Sequence, residues 1–324
     1  MKVVAVGGGT GLSTLLRGLK NYPFDITAVV TITDEGGSSG ILREELNVPP
    51  PGDIRNNLVA LASSESILSA LFNYRFQDGS LKGHSVGNII LAALTKITGS
   101  FAEAVARASD ILAIKGRVLP VSLKMARLTA IFSDGKCVVG ETNIVEYGKT
   151  TKNRIVELRL EEPVRINPEV EHAIEESDAI IFGPGSLYTS VIANLIIGGF
   201  QESLKRSKAI KIYISNIMTQ PGETLQYSLG DHVQEIERYA GISIDYIVHS
   251  LPPRNEEVLK RYIEKGSEPL KVDINDNRLI LGHYSSVIFE NEYRIRHDPL
   301  LISEVLFNLL SSLKNKIPSE SLQI

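Results

Sequence analysis

The sequence predicts an α/β fold of the Rossmann-like kind, a mostly parallel sheet flanked by helices with a β-rich insertion around residues 116–161. Three observations predict it. Apolar runs stopped by glycine alternate with stretches of helical periodicity along most of the 324 residues. The run KVVAV at 2–6 passes through a glycine-rich turn into Leu12, Leu15, Leu16 and Leu19, which share one helical face. The run ITAVVTIT at 26–33 is β-branched and apolar, which suits a parallel strand buried on both faces.

The remaining elements follow in order. In NVPPPGDIRNNLVALAS, three prolines and a glycine make a stiff turn, and Asp53 is placed to cap the helix carrying Leu58, Leu61 and Ala62. Ser85 in GHSVGN caps the next helix, and Ser100 with Glu103 has the spacing of a capping box for a helix at 101–112. Two β-rich runs around Ser133, Asp134 and Gly135 read as a hairpin, and RIVELRLEEP adds a strand. The α/β rhythm then resumes with a helix at 168–176, the strand AIIFG, a helix from Ser186 and the strand AIKIYISN. After these come a helix at 224–240 with Thr224 as its cap, the strand IDYIVHS and the helix NEEVLKRYIEKG. A final amphipathic helix carries Leu300, Leu301, Val305, Leu309 and Leu313, and the polar tail at 315–324 is expected to fray.

Composition removes several classes of function. A formal net charge of -4 provides no global field for a nucleic-acid backbone. Met1 leads straight into a strand, and apolar runs such as VIANLII are too short to span a bilayer, so no membrane insertion is expected. The single cysteine, Cys137, excludes an internal disulfide framework and a cysteine-rich zinc site, and it fits a reducing cytoplasm. Within the strand-like GKCVVG it reads as a small buried apolar residue.

Chemistry concentrates in the loops. AVGGGTGLSTLLRGL at 5–19 puts Gly8, Gly9, Thr10, Gly11 and Leu12 at a strand-to-helix turn, where free N–H groups favour an anion, usually phosphate. A tight turn without a ligand is the alternative. The loop fits the dinucleotide rule G-x-G-x-x-G badly, because counting from Gly7 puts Leu12, and counting from Gly9 puts Thr14, in the third glycine's place. It also lacks the lysine of a P-loop. Thr33 and Asp34 end the second strand, where a dinucleotide fold places its ribose-binding acid, and TDEGGSSG adds Gly37 and the hydroxyls of Ser38 and Ser39. A third loop, GPGSLYTS, offers Gly183, Pro184, Gly185, Ser186, Tyr188 and Thr189 ahead of a helix.

Three such loops at the carboxyl ends of parallel strands would face one crevice. Further polar residues that could line it are Asp53, Arg55 and Asn56, then His84 and Asn88, then Asn216, Thr219 and Gln220 with Glu223 close by. In YRIRHDP, Arg294 and Arg296 alternate on a strand and share a face, suited either to a diphosphate or to exposed ion pairs. No G-x-S-x-G elbow occurs in these loops, and the adjacent His297 and Asp298 would point to opposite faces of a strand. The residues by themselves assign no catalytic group and no metal ligand.

Taken together, GGGTGLSTLLRGLK, TDEGGSSG, PPGDIRNNLVAL, LKGHSVGNIILAAL, GPGSLYTSVIANL and NIMTQPGET resemble the bacterial gluconeogenesis factor family, which is related to 2-phospho-L-lactate transferase. The resemblance implies a single domain over 1–324, a cytoplasmic location, and a role in cell shape and in growth on gluconeogenic carbon. It also implies binding of UDP-sugars such as UDP-N-acetylglucosamine, with no established catalysis and no required cofactor. The glycine loops and TDEGGSSG would hold the nucleotide, with Asp34 or Asn216 on ribose or sugar hydroxyls and Arg296 on phosphate. Partners would be proteins of cell-envelope synthesis, and a homo-oligomer is compatible with the family. The transferase relatives move a phospholactyl group with magnesium, so Mg2+ with Asp34 or Asp53 as ligand is the second reading. A dehydrogenase is the third, with NAD as an opportunistic ligand of the same crevice. Where some relatives carry a threonine after the His-Asp pair, this chain has Pro299, which cannot be phosphorylated.

Overall fold

The structure, a computed structural model, describes residues 1–63 and 67–316, so most of the tail expected to fray lies outside the described residues. Strand β1 (Lys2–Gly7) leads into helix α1 (Gly9–Leu19) and strand β2 (Asp25–Val30), the opening unit read from the sequence. Leu12, Leu15, Leu16 and Leu19 are all fully buried, each contributing roughly 1.5–3 kcal/mol of hydrophobic stabilisation. Helices α2 (Gly37–Leu46), α3 (Gly52–Leu61), α4 (Ile67–Asn73), α5 (Val86–Thr98) and α6 (Phe101–Leu112) follow. The side chains of Ser85 and Ser100 cap α5 and α6 as expected, accepting the N–H groups of Asn88 and Glu103.

Strand β3 (Arg117–Pro120) belongs to the main sheet, where it pairs in parallel with β2. The expected β-rich insertion is therefore narrower than 116–161. It consists of β4 (Leu128–Phe132), β5 (Cys137–Val139) and β6 (Ile155–Leu160), an antiparallel sheet in the order β5-β4-β6, and it also carries helix α7 (Glu141–Thr151). Cys137 is exposed rather than buried, because β5 pairs with β4 on one side only, at the edge of this small sheet.

The second half contains α8 (Pro168–Glu175), β7 (Ala179–Phe182), a π-helical turn (Leu187–Ile192) running into α9 (Ala193–Leu195), α10 (Phe200–Arg206) and β8 (Ile210–Ile214). It continues with α11 (Leu229–Ala240), β9 (Tyr246–Ser250), α12 (Glu256–Glu264) and β10 (Leu279–Gly282). The expected helix at 224–240 starts later because Ser228 and Asp231 form the capping box, while the Thr224 hydroxyl accepts the Gln220 N–H within a turn. A hairpin of β11 (Ser285–Phe289) and β12 (Tyr293–His297) precedes α13 (Pro299–Lys316), whose first turn is capped by the Asp298 carboxylate.

Helix α13 buries Ile302, Leu306 and Leu310, whereas Leu300 and Leu301 from the expected apolar face are 61% and 42% exposed. The crossing with α1 decides this. A Cβ on Gly18 would stand 1.8 Å from the Pro299 carbonyl oxygen, so the two helices touch backbone to backbone at that point. Seven parallel strands lie in the order β10-β9-β8-β7-β1-β2-β3. The order reverses between β1 and β7, and the crevice above such a switch point is where open α/β sheets receive ligands.

Candidate functional site

The loops after β1 and β7 meet directly above that reversal. Gly9, at φ +62°, starts α1 in a left-handed conformation, and Gly11 lies so close to the next loop that a Cβ would reach within 2.5 Å of the Pro184 carbonyl oxygen. Gly185 packs against Ser190 and the Gly8 carbonyl. The third loop joins from the β2 side. Gly52 donates its N–H to Ser39 Oγ, and a Cβ there would lie 3.0 Å from Asp34 Oδ2. Arg127 and Arg43 hold this loop against the small sheet through ion pairs with Glu35.

Carboxylates of the protein itself occupy N–H groups in all three loops. Asp53, in the first turn of α3, accepts the Gly9 N–H rather than capping its own helix, whose N-cap is Pro51. Asp34 accepts the Gly36 N–H at 2.9 Å, and Glu141 from α7 accepts the Glu35 N–H at 3.1 Å. Buried Glu223 accepts the N–H groups of Tyr188 and Thr189 at 3.0 and 3.3 Å, the Thr189 hydroxyl at 2.9 Å and the Gln220 amide at 3.1 Å. A helix N-terminus attracts anions, and in two of these loops, those beginning α1 and the π-helical turn, the chain supplies one.

Packing acids together moves their protons. Burial first, and the Asp34 charge second, push Asp53 up to about 7, against the pull of the Gly9 N–H and Arg55. Glu141 rises well above the usual carboxylate range through burial and the charges of Asp34 and Asp53. Glu223 is also raised by burial, although its hydrogen bonds oppose this. Near neutral pH Asp53 therefore still holds part of its proton, which a cation beside it would displace.

Other expected site residues take distinct places. Leu12 is core, so only its backbone belongs to the loop, and the hydroxyls of Thr31 and Thr33 bond each other at 2.9 Å. The Tyr188 phenol turns into the interior, where its oxygen contacts the Ile155 carbonyl, Tyr227 and Glu235, so it offers no hydroxyl to the crevice. The Ser13 hydroxyl is bonded to the Thr10 carbonyl. Buried Arg55 reaches Asn73, and Asn56 is half-buried. His84 and Asn88 both contact Ser38. Thr219 is bound into the loop at 267–268 by the Glu268 N–H and the Ser267 hydroxyl.

Asn216 keeps a buried Oδ1 without a partner. Arg294 and Arg296 do share a face of β12, and both pair with Glu290, as in the ion-pair alternative. Strand β12 packs beside α1. Sequence reasoning missed Glu141, which comes from the insertion about a hundred residues after its partner loop. It also missed the buried histidines His232 and His249, because an isolated histidine within a strand or helix gives no signal of its own, and the burial of His297 was equally unsignalled.

Magnesium chemistry can be tested against these donors. Asp34 and Asp53 provide hard oxygens, and among the described residues no group of three His, Cys, Asp or Glu converges as a cage. Two carboxylates with the rest of the shell left to phosphate and water is how Mg2+ is commonly held, so the residues fit a cation that arrives with a phosphorylated ligand. A separate cleft of 480 Å3 lies among Lys208, Lys211, Asp245, Arg278 and Leu313 at the amino ends of β8, β9 and β10, away from the glycine loops at the carboxyl ends.

Comparison with known proteins places these features in a family. The family model described as 2-phospho-L-lactate transferase CofD matches residues 3–284. A Thermotoga maritima protein named "Putative gluconeogenesis factor" is 55% identical over 312 residues, covering 94% of this chain and 98% of its own length. The Gluconeogenesis factor of Bacillus subtilis strain 168 is 44% identical over 314 residues, covering 95% of this chain and 98% of its own. A crystal structure of a UPF0052-family protein from Bacillus halodurans has a TM-score of 0.86 at 41% identity, covering 94% of this chain and 98% of that one.

Proposed function

This chain belongs to the CofD family, together with the gluconeogenesis factors, and from that membership we propose that it is a regulatory protein whose crevice binds a nucleotide sugar of the UDP-N-acetylglucosamine kind. Binding shifts the population of a conformation read by proteins of envelope synthesis, in the cytoplasm, and so links cell shape to growth on gluconeogenic carbon. One observation carries the reading: the loops after β1 and β7 touch each other directly above the strand-order reversal. The diphosphate lies over the glycine loops, Asn216 Oδ1 receives a ribose or base donor, and Arg296 turns from Glu290 toward phosphate. No helix among the described residues is long and apolar enough to cross a membrane.

Calorimetry with UDP-N-acetylglucosamine, with and without Mg2+, tests this. Micromolar binding that weakens roughly tenfold in Arg296→Ala is expected, about 1.4 kcal/mol. The absence of heat at millimolar ligand in both buffers overturns the reading. The juxtaposition of Asp34 and Asp53 favours a second reading, a magnesium-dependent transferase acting on a nucleotide-linked phosphodiester. In that case Asp34 and Asp53 would hold Mg2+, which would supply charge stabilisation for the transferred phosphoryl group. Product formation from a UDP-sugar, followed by mass spectrometry and lost in Asp34→Asn, would promote this reading over the regulator.

A further inference from the structure

Beside the acidic centre lies a polar cluster of Ser38, His84 and Asn88 that contains no carboxylate. Ser38, 6% exposed in the first turn of α2, receives the Asn88 Nδ2–H on its Oγ at 3.2 Å and stands 3.1 Å from His84 Nδ1. Because Asn88 donates to this oxygen, the serine hydrogen is free to bond Nδ1, which leaves His84 as the tautomer with Nε2–H. Asn88 is 2% exposed, and its Oδ1 is buried without a hydrogen-bond partner. An amide oxygen withdrawn from water in this way costs stability until a donor reaches it.

The cluster thus holds one unpaired acceptor, Asn88 Oδ1, and one ring N–H donor, His84 Nε2. That pair complements a secondary amide or two neighbouring hydroxyls and is a poor match for a phosphate. Ser38 lies four residues after Asp34, and its neighbour Ser39 accepts the Gly52 N–H beside the Asp34 carboxylate, so the cluster adjoins the acidic centre. Resting on the nucleotide-sugar reading, we propose that Ser38, His84 and Asn88 form the subsite for the uncharged amide- or hydroxyl-bearing group beyond the diphosphate, and that they select ligands by it.

The test is calorimetry of the full chain with three probes: UDP, UDP-glucose and UDP-N-acetylglucosamine. The wild-type protein is expected to bind at least one sugar conjugate more tightly than UDP. Asn88→Ala should weaken that conjugate about tenfold while leaving UDP within twofold, and the half-exposed His84→Gln, which perturbs packing less, should reduce the same preference. A loss for UDP-N-acetylglucosamine alone identifies the amide as the group read, and an equal loss for UDP-glucose identifies hydroxyls. If both variants keep the wild-type preference for the conjugate over UDP, or weaken UDP equally, the subsite is wrong while nucleotide binding stands. If the wild-type protein binds none of the three, the nucleotide-sugar reading fails and the subsite fails with it.

Discussion

Asp53 carries its carboxyl group to the Gly9 N–H at the start of α1, and its titration should show the cost of burying it there. Its proton is retained up to about 7 in the fold, but is lost near 4 in the unfolded chain. Between those values the folded state binds the extra proton, so each rise in pH favours unfolding. Asp53→Asn keeps an acceptor for the Gly9 N–H and removes the charge. The variant should be more stable than wild type, and its advantage should grow by about 2 kcal/mol between pH 5 and pH 8. Urea midpoints at the two pH values check this, and an advantage that shrinks with pH would show that Asp53 is ionised and stabilised at its site. From the sequence Asp53 read as a helix cap, because a turn followed by an apolar helix is local information. That its partner is Gly9, at the other end of a βαβ unit, is not.

Elements were legible where one strong local signal set them. Uniformly apolar runs gave the central strands, and hydroxyl caps gave α5 and α6. Errors arose where tertiary contact chose between local options. Thr224 and Ser228 both offer hydroxyls, and only the partner Asp231 at the right spacing favours the second. Periodicity places Leu300 and Leu301 on the apolar face of α13, yet the buried face is fixed by Gly18 on a different helix, and nothing within α13 reports that. The loops of the candidate site were legible as glycine-rich turns, but Glu141 was not, since it arrives from the inserted sheet. Gly18→Ala tests the helix crossing. The added methyl cannot coexist with the Pro299 carbonyl, so α13 must move away from α1. A destabilisation of about 2 kcal/mol or more is expected, with ligand heats preserved once the protein is folded. A change in thermal midpoint of less than a degree would show that the two helices are not in contact.

At the scale of the whole molecule, two sets of buried ionisable groups pull stability in opposite directions with pH. Burial lowers His232 to about 3 and His249 and His297 to about 4, so these imidazoles stay neutral in the fold while the unfolded chain takes up protons below about 6.5. They make the fold lose stability as pH falls from about 6.5 toward 4. The raised carboxyls Asp53, Glu141 and Glu223 act in the other sense, keeping protons that the unfolded chain releases. Between pH 4 and 6.5 the two sets oppose each other. Above 6.5 the histidines are neutral in both states, and only the carboxyls still distinguish them. Stability should therefore decline from pH 6.5 to 8, by about 0.5 kcal/mol per pH unit from Asp53 with its value of about 7, since that proton is mostly released by pH 8. Urea midpoints measured in half-unit steps from pH 5 to pH 8 test this, and a midpoint rising steadily up to pH 8 would contradict it. If Asp34 and Asp53 hold Mg2+, saturating Mg2+ should flatten the decline, because the cation would replace the proton retained by Asp53 with a charge that does not titrate.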